Sequence, residues 1–165
     1  MRVEERARAV RLAVFDVDGV LTDGTVYIGA SGEAFKAFNI LDGHGVKMLQ
    51  SAGVATAILS GRESAAVRRR AAELGIATVV ESASDKLAAF EKMLAGLGLD
   101  ALACAYVGDD LPDLAVMQRC GFAVAVANAV DAVKSAAHYV TRAAGGRGAV
   151  REFCDLVIAA RETGR

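Results

Sequence analysis

Apolar residues along this chain come in short unbroken runs, separated by stretches with helical periodicity. RLAVFDV (11–17), VATAILS (54–60), IATVVE (76–81), ALACAYVG (101–108), FAVAVAN (122–128) and HYVT (138–141) read as six strands. Val46–Ala52, Glu63–Leu74, Asp85–Leu97, Leu111–Arg119 and Asp131–Ala137 read as the helices between them, and Val150–Arg161 as a closing helix. Gly75 supplies a C-terminal stop, and Pro112 falls in a first turn, where proline is tolerated. The opening MRVEERARAVR alternates charge with alanine and reads as a short charged helix. Strands that are apolar without alternation belong to a sheet covered on both faces. Strand–helix alternation gives parallel neighbours joined by right-handed crossovers. The expected fold is therefore α/β, a Rossmann-like three-layer sandwich around a parallel central sheet, with one domain over 1–165.

One segment breaks the pattern. TVYIGASGEAFKAF holds two short β-prone runs around Gly-Ala-Ser-Gly, which predicts a β-hairpin insert at about 24–38, directly after the first strand. Val26, Ile28, Phe35 and Phe38 would give that hairpin apolar surface to bury, and self-association is the expected way to bury it.

Composition narrows the class. Lys plus Arg is 19 against 20 Asp plus Glu, so no basic surplus points to nucleic acid. No apolar stretch is long enough to span a bilayer, and the N-terminus lacks a signal-peptide core. Cys104, Cys120 and Cys154 form no metal-binding spacing and read as reduced, buried thiols of a cytoplasmic protein.

Chemistry is expected beyond the carboxyl ends of the strands, where open α/β sheets bind ligands. The first strand ends in Asp16 and Asp18, and the second in Ser60-Gly61-Arg62. Lys86 follows the third, and Gly108-Asp109-Asp110 ends the fourth, with Asp113 one helical turn on. Clustered carboxylates repel one another, and a hard divalent cation such as Mg²⁺ suits such oxygen ligands. A carboxylate can attack phosphorus. Ser60, the Gly61 N–H and Lys86 would then hold the non-bridging oxygens.

In this order and spacing, DVDGVLTD, SGR, the lone Lys86 and GDDLPD resemble the four signature motifs of the haloacid dehalogenase-like (HAD) phosphatases, over about Arg11 to Asp113. The resemblance implies that Asp16 is the nucleophile. It implies that Asp18 is the general acid for the leaving alcohol and then the base for water. It implies Mg²⁺ held by the Asp16 carboxylate, the Asp18 backbone carbonyl and Asp109, with Asp110 and Asp113 orienting metal waters or Lys86. Asp16 and Asp18 are two apart, so strand geometry puts both on one face; Asp23 reads as a turn residue. Neither Asp23–Ser60 nor Ser60–Lys86 holds enough chain for the cap domain that many members carry.

FNILDGHGVKML (38–49), SGRESAAVRRRAAELGI (60–76) and GGRGAVREF (145–153) narrow the resemblance to the 3-deoxy-D-manno-octulosonate 8-phosphate phosphatases of lipopolysaccharide biosynthesis. Members are capless tetramers whose hairpins assemble together and whose tails reach a neighbour's active site. The resemblance implies a homotetramer through the hairpin and a sugar-acid phosphate as substrate. A tail at about 143–165 would carry Arg147 as a substrate contact, with Arg62 and Arg70 as further candidates. The chain departs from its relatives at Ser60, often threonine, at ESASD before Lys86, where many carry a glycine, and at His44. Neither His44 nor His138 is assigned a catalytic role. The alternatives are a nine-carbon sugar-acid phosphate as substrate, a phosphoacceptor resembling a receiver domain, and an inactive scaffold beside a sugar-nucleotide synthetase.

Overall fold

After helix α1 (Val3–Ala9) the chain enters β1 (Leu12–Phe15), turns through Val17–Leu21, and forms a hairpin of β2 (Tyr27–Gly29) and β3 (Gly32–Phe35). Helices and strands then alternate: α2 (Ile40–Ser51), β4 (Ala55–Leu59), α3 (Ala65–Leu74), β5 (Thr78–Val80), α4 (Lys86–Leu97), β6 (Cys104–Gly108), α5 (Leu114–Arg119), β7 (Phe122–Ala125), α6 (Asp131–Ala136), β8 (Tyr139–Val140) and α7 (Ala149–Glu162). This computed structural model describes residues 1–163.

The six central strands are all parallel, in the order β5-β4-β1-β6-β7-β8. Leu12, Ala13, Val14 and Phe15 are fully buried, as a strand covered on both faces requires. Helices α1, α2 and α7 pack together, with α3 beside α2, while α4, α5 and α6 contact one another in turn. Right-handed crossovers put the two sets on opposite faces. Phe153 of α7 meets Phe15 edge-on at 5.8 Å. The chain leaves β1 toward β4 and leaves β6 toward β7, so the strand order switches direction between β1 and β6. A crevice opens at that point, at the carboxyl ends of the strands.

Several boundaries differ from those the sequence predicts. Helix α2 begins at Ile40, not Val46, because Asn39 caps it by accepting from the Leu41 N–H at 2.8 Å. Its Gly43 and Gly45 look like helix breakers in sequence. In the structure they are buried, and a Cβ on Gly45 would come within 3.0 to 3.3 Å of Arg151 and Cys154 in α7. Gly45 lets α2 and α7 approach, whereas Gly43 makes room for Arg70 and Leu74 of α3. The predicted fourth strand starts late, because Ala101–Ala103 form a 3-10 turn. Likewise Leu111–Asp113 form a 3-10 turn before α5.

The closing helix expected within the segment 143–165 forms as α7, starting at Ala149. It is a core helix, with Phe153, Cys154 and Val157 fully buried. Gly148 has no side chain to cap that helix, so Asp42 of α2 does it, accepting from the Arg151 N–H at 3.0 Å.

The hairpin forms as predicted and stacks Tyr27 on Phe35 at 4.3 Å. Ile28 and Phe35 remain exposed, whereas Phe38 packs against the core of its own domain. All three cysteines are free and buried. Burial pushes the Cys104 thiol up to about 11 and Cys120 to about 12, and raises Cys154 further. Among the described residues no helix is long and apolar enough to cross a membrane.

Candidate active site

The crevice is an open cleft of about 410 Å³, lined by Asp16, Asp18, Ser60, Gly61, Arg62, Lys86, Asp109, Asp110 and Asp113 among others. Every strand-end residue picked out in the sequence except Gly108 therefore lines it. Asp16 follows β1 directly and is tied to β6 by its N–H, which donates to the Val107 carbonyl at 3.1 Å. Its Oδ1 accepts from the Val17 N–H at 2.7 Å and faces Lys86 Nζ at 3.0 Å.

Asp18 is not on the strand. It sits in the turn Val17–Leu21 with φ −70° and ψ 118°, followed by Gly19 at φ +88°. The strand-pleat argument for Asp16 and Asp18 is thus corrected: a tight turn, not alternation, brings both carboxylates to the cleft. Gly19 is required twice over, because a Cβ there would lie 2.0 Å from Asp109 Oδ2 in a left-handed backbone.

Lys86 is the first residue of α4, placed by the Asp85 cap, which accepts from the Ala88 N–H at 3.0 Å. Its ammonium bridges Asp16 and Asp113, at 3.0 and 2.7 Å. Burial alone would lower the Lys86 pKa, but the two carboxylates outweigh burial and raise it. Asp113 spends both oxygens inside the protein. Oδ1 accepts from Lys86 and from the buried Tyr106 hydroxyl at 2.6 Å, and Oδ2 accepts from the Asp109 and Asp110 N–H groups at 3.0 and 3.2 Å. Asp110 caps the following turn, accepting from the Leu111 N–H at 2.8 Å, and does not meet Lys86.

Oxygens of Asp16, Asp109 and Asp113 lie within 4.8 Å of one another. Asp109 Oδ1 is buried with no hydrogen-bond partner. Burial, then the charges of Asp16 and Asp113, pushes the Asp109 carboxyl up to about 8. Burial and Asp113 push Asp16 up to about 6, against the pull of Lys86. Three crowded acids with one orphaned oxygen fit a hard cation. Asp16 and Asp109 have oxygens to offer it. Asp113, fully engaged, serves as their scaffold.

Ser60 is buried at the end of β4, its Oγ accepting from the Arg62 N–H at 3.2 Å. Of the three candidate arginines only Arg62 reaches the cleft, with Nε 3.8 Å from Asp18 Oδ2. Arg70 pairs with Glu73 on its own helix and lies against Gly43, away from the cleft. Arg147 is exposed and stands 3.9 Å from Asp23. Asp23 is a turn residue as expected, accepting from the Thr25 N–H at 2.9 Å.

Three residues of the site escape the sequence reading. Tyr106 is the polar-tipped member of an aliphatic strand, and Lys36 the single basic residue of the hairpin. Lys36 Nζ reaches Asp18 Oδ1 at 2.6 Å and Glu33 at 3.0 Å, and Glu33 in turn accepts from Ser64 Oγ. Asn128, the polar end of FAVAVAN, donates to the Gly19 carbonyl at 3.1 Å and accepts from the Gly145 N–H at 2.6 Å. Gly145 packs so closely on the Gly19 carbonyl that no side chain fits there.

Comparison with known proteins agrees with this geometry. A profile of the haloacid dehalogenase-like hydrolases matches residues 75–153. The chain is 46% identical over 160 residues to 3-deoxy-D-manno-octulosonate 8-phosphate phosphatase KdsC of Yersinia pestis, covering 97% of this chain and 86% of that protein. It is 47% identical over 156 residues to KdsC of Escherichia coli K12, covering 94% and 83%. The crystal structure of 3-deoxy-D-manno-octulosonate 8-phosphate phosphatase from Moraxella catarrhalis, in complex with magnesium, phosphate and KDO, superposes with a TM-score of 0.94 at 40% identity, covering 98% and 92% of the two chains. A cleft of this build, on a chain this similar over nearly its whole length, places the protein in the haloacid dehalogenase-like superfamily, where it belongs to the 3-deoxy-D-manno-octulosonate 8-phosphate phosphatase family.

Proposed function

We propose that the chain hydrolyses 3-deoxy-D-manno-octulosonate 8-phosphate to KDO and inorganic phosphate, as a step of lipopolysaccharide synthesis in the cytoplasm. The observation that carries the reading is the Asp16–Lys86–Asp113 bridge beside the orphaned Asp109 oxygen, at the switch point between β1 and β6. The identity to KdsC proteins supports the substrate.

Asp16 attacks phosphorus and carries the phosphoryl group as an aspartyl-phosphate. Lys86 neutralises Asp16 before the phosphate arrives and then meets its oxygens, joined by the Ser60 hydroxyl and the Gly61 N–H. Asp18 protonates the departing sugar oxygen and later takes a proton from water. Asp109, Asp16 and the Asp18 carbonyl would hold Mg²⁺, which supplies positive charge for the phosphoryl oxygens. Arg62, at the rim of the cleft, fits a carboxylate of the substrate through its planar fork. Arg147 and Arg70 would contribute only from a neighbouring subunit. Exposed Ile28 and Phe35 support assembly of a homotetramer through the hairpin.

The test is phosphate release with Mg²⁺, with and without chelator, from the eight-carbon substrate, its nine-carbon analogue and an aryl phosphate. Chelator-sensitive release strongest on the eight-carbon compound is expected. Preference for the nine-carbon compound would move the substrate, and no release from any of them would overturn the reading.

A further inference from the structure

We propose that Lys36, on the hairpin, is a positioning residue that fixes the Asp18 carboxylate for its proton transfers. The inference rests on the acid–base role assigned to Asp18 above. Asp18 sits in a turn, not on a strand, so no pleat dictates its side-chain direction. Among the described residues one group alone hydrogen-bonds its carboxylate: Lys36 Nζ, at 2.6 Å from Oδ1. Arg62 is the other cation nearby, at 3.8 Å from Oδ2, but its side chain is 49% exposed, whereas that of Lys36 is 1% exposed. A buried ammonium holds a carboxylate in one rotamer far better than a solvated guanidinium does, because screening and side-chain entropy weaken exposed pairs.

Lys36 is itself held. Glu33 takes its ammonium at 3.0 Å and is anchored by Ser64, which also caps α3 by accepting from the Val67 N–H at 3.3 Å. The hairpin thus carries a short chain of fixed groups from the rigid start of α3 to Asp18. With Oδ1 occupied by Lys36, Oδ2 is left to carry the proton. In the first step a carboxylate oxygen of Asp16 bonds to phosphorus and the bond from phosphorus to the sugar oxygen breaks. The electron pair stays on that oxygen, which receives the Asp18 proton. In the second step a water oxygen bonds to phosphorus, the Asp16–phosphorus bond breaks, and Asp18 takes the water proton.

The test is the dependence of kcat/KM on leaving-group basicity, across a series of substituted phenyl phosphates with Mg²⁺. This parameter reports the steps up to departure of the leaving group, and none of these substrates carries a sugar acid for Lys36 to bind. Lys36→Met should steepen the dependence. Poor leaving groups should lose about tenfold to a hundredfold, part of the ~10²–10⁴ that general acid catalysis contributes, while nitrophenyl phosphate loses less than about threefold. Lys36→Arg should recover most of the loss. Glu33→Gln, which removes only the second anchor of the ammonium, should steepen the slope less and in the same sense. Equal losses across the series, or a raised KM with the wild-type slope, would overturn the proposal. Asp18→Asn is the reference. If its slope is also that of the wild type, the role of Asp18 itself is wrong. If its slope steepens and that of Lys36→Met does not, only the role of Lys36 is.

Discussion

Asp16 takes a 3.0 Å contact from Lys86 and a 2.7 Å hydrogen bond from Val17, and Asn in its place could keep both through its amide oxygen. Asp16→Asn should therefore fold normally and lose the nucleophile. Phosphate release should fall below detection while the circular dichroism spectrum stays that of the wild type and the melting point does not fall. Near-normal turnover would remove Asp16 from the role. A second residue carries strain away from the chemistry. Ser82 has φ +54° and is the one non-glycine with positive φ among the described residues. It falls in ESASD, just before Lys86, so this stretch has a backbone cost. A non-glycine there costs about 1–3 kcal/mol, against about 0.5–1 kcal/mol of extra chain entropy for glycine. Ser82→Gly should raise stability by about 0.5–1 kcal/mol in urea titration, and a lower midpoint would refute the strain. Asp16, Asp109 and Lys86 were legible in the sequence because strand ends announce themselves through apolar runs. Lys36 and Asn128 were not, because their partners lie 18 and 109 residues away and only the fold joins them.

The order and type of the elements follow from periodicity, and the six strands lie within the predicted runs. What periodicity could not supply was the early start of α2, since Gly43 and Gly45 argue against a helix until α3 and α7 are seen packed on it. Nor could it supply the cap of α7, because Asp42 lies far away in sequence. The hairpin was legible as an element, but its dual use was not. One side grips Asp18 and Ser64 through Lys36 and Glu33, and Ile28 and Phe35 project outward, 67% and 55% exposed. Replacing Ile28 and its exposed neighbour Ala30 with Asp spares the Tyr27–Phe35 stack and puts charge on the projecting side. Light scattering at micromolar concentration should show the wild type as a tetramer and this double variant at lower mass, and a monomeric wild type would refute assembly through the hairpin.

At the scale of the molecule, the acidic cluster sets how stability responds to pH and cation. Without a cation, Asp16 and Asp109 have folded-state pKa values of about 6 and about 8, above the ~3.9 of an unfolded Asp. Below pH 4 both states hold these protons and the pair contributes nothing. As pH rises from about 4 to about 8 the unfolded chain gives them up first, so this contribution destabilises the fold progressively and is complete above about 8. A bound cation relieves the crowding. The increase in melting temperature caused by Mg²⁺ over chelator should therefore be larger at pH 8 than at pH 5, read by scanning calorimetry. An increase independent of pH would mean that the cation binds elsewhere.

The buried thiols have a practical consequence. Thiolate, not thiol, reacts with maleimides and iodoacetamides. Cys104 and Cys120, raised to about 11 and about 12, and Cys154, raised further, stay protonated at neutral pH and shielded from reagent. Toward such dyes the native chain is already cysteine-free. A single Ala72→Cys on the exposed side of α3, away from the hairpin, would take one fluorophore per chain with no background to remove. Mixing donor-labelled and acceptor-labelled pools would then report the exchange of subunits by energy transfer, in real time and at the concentrations used for turnover.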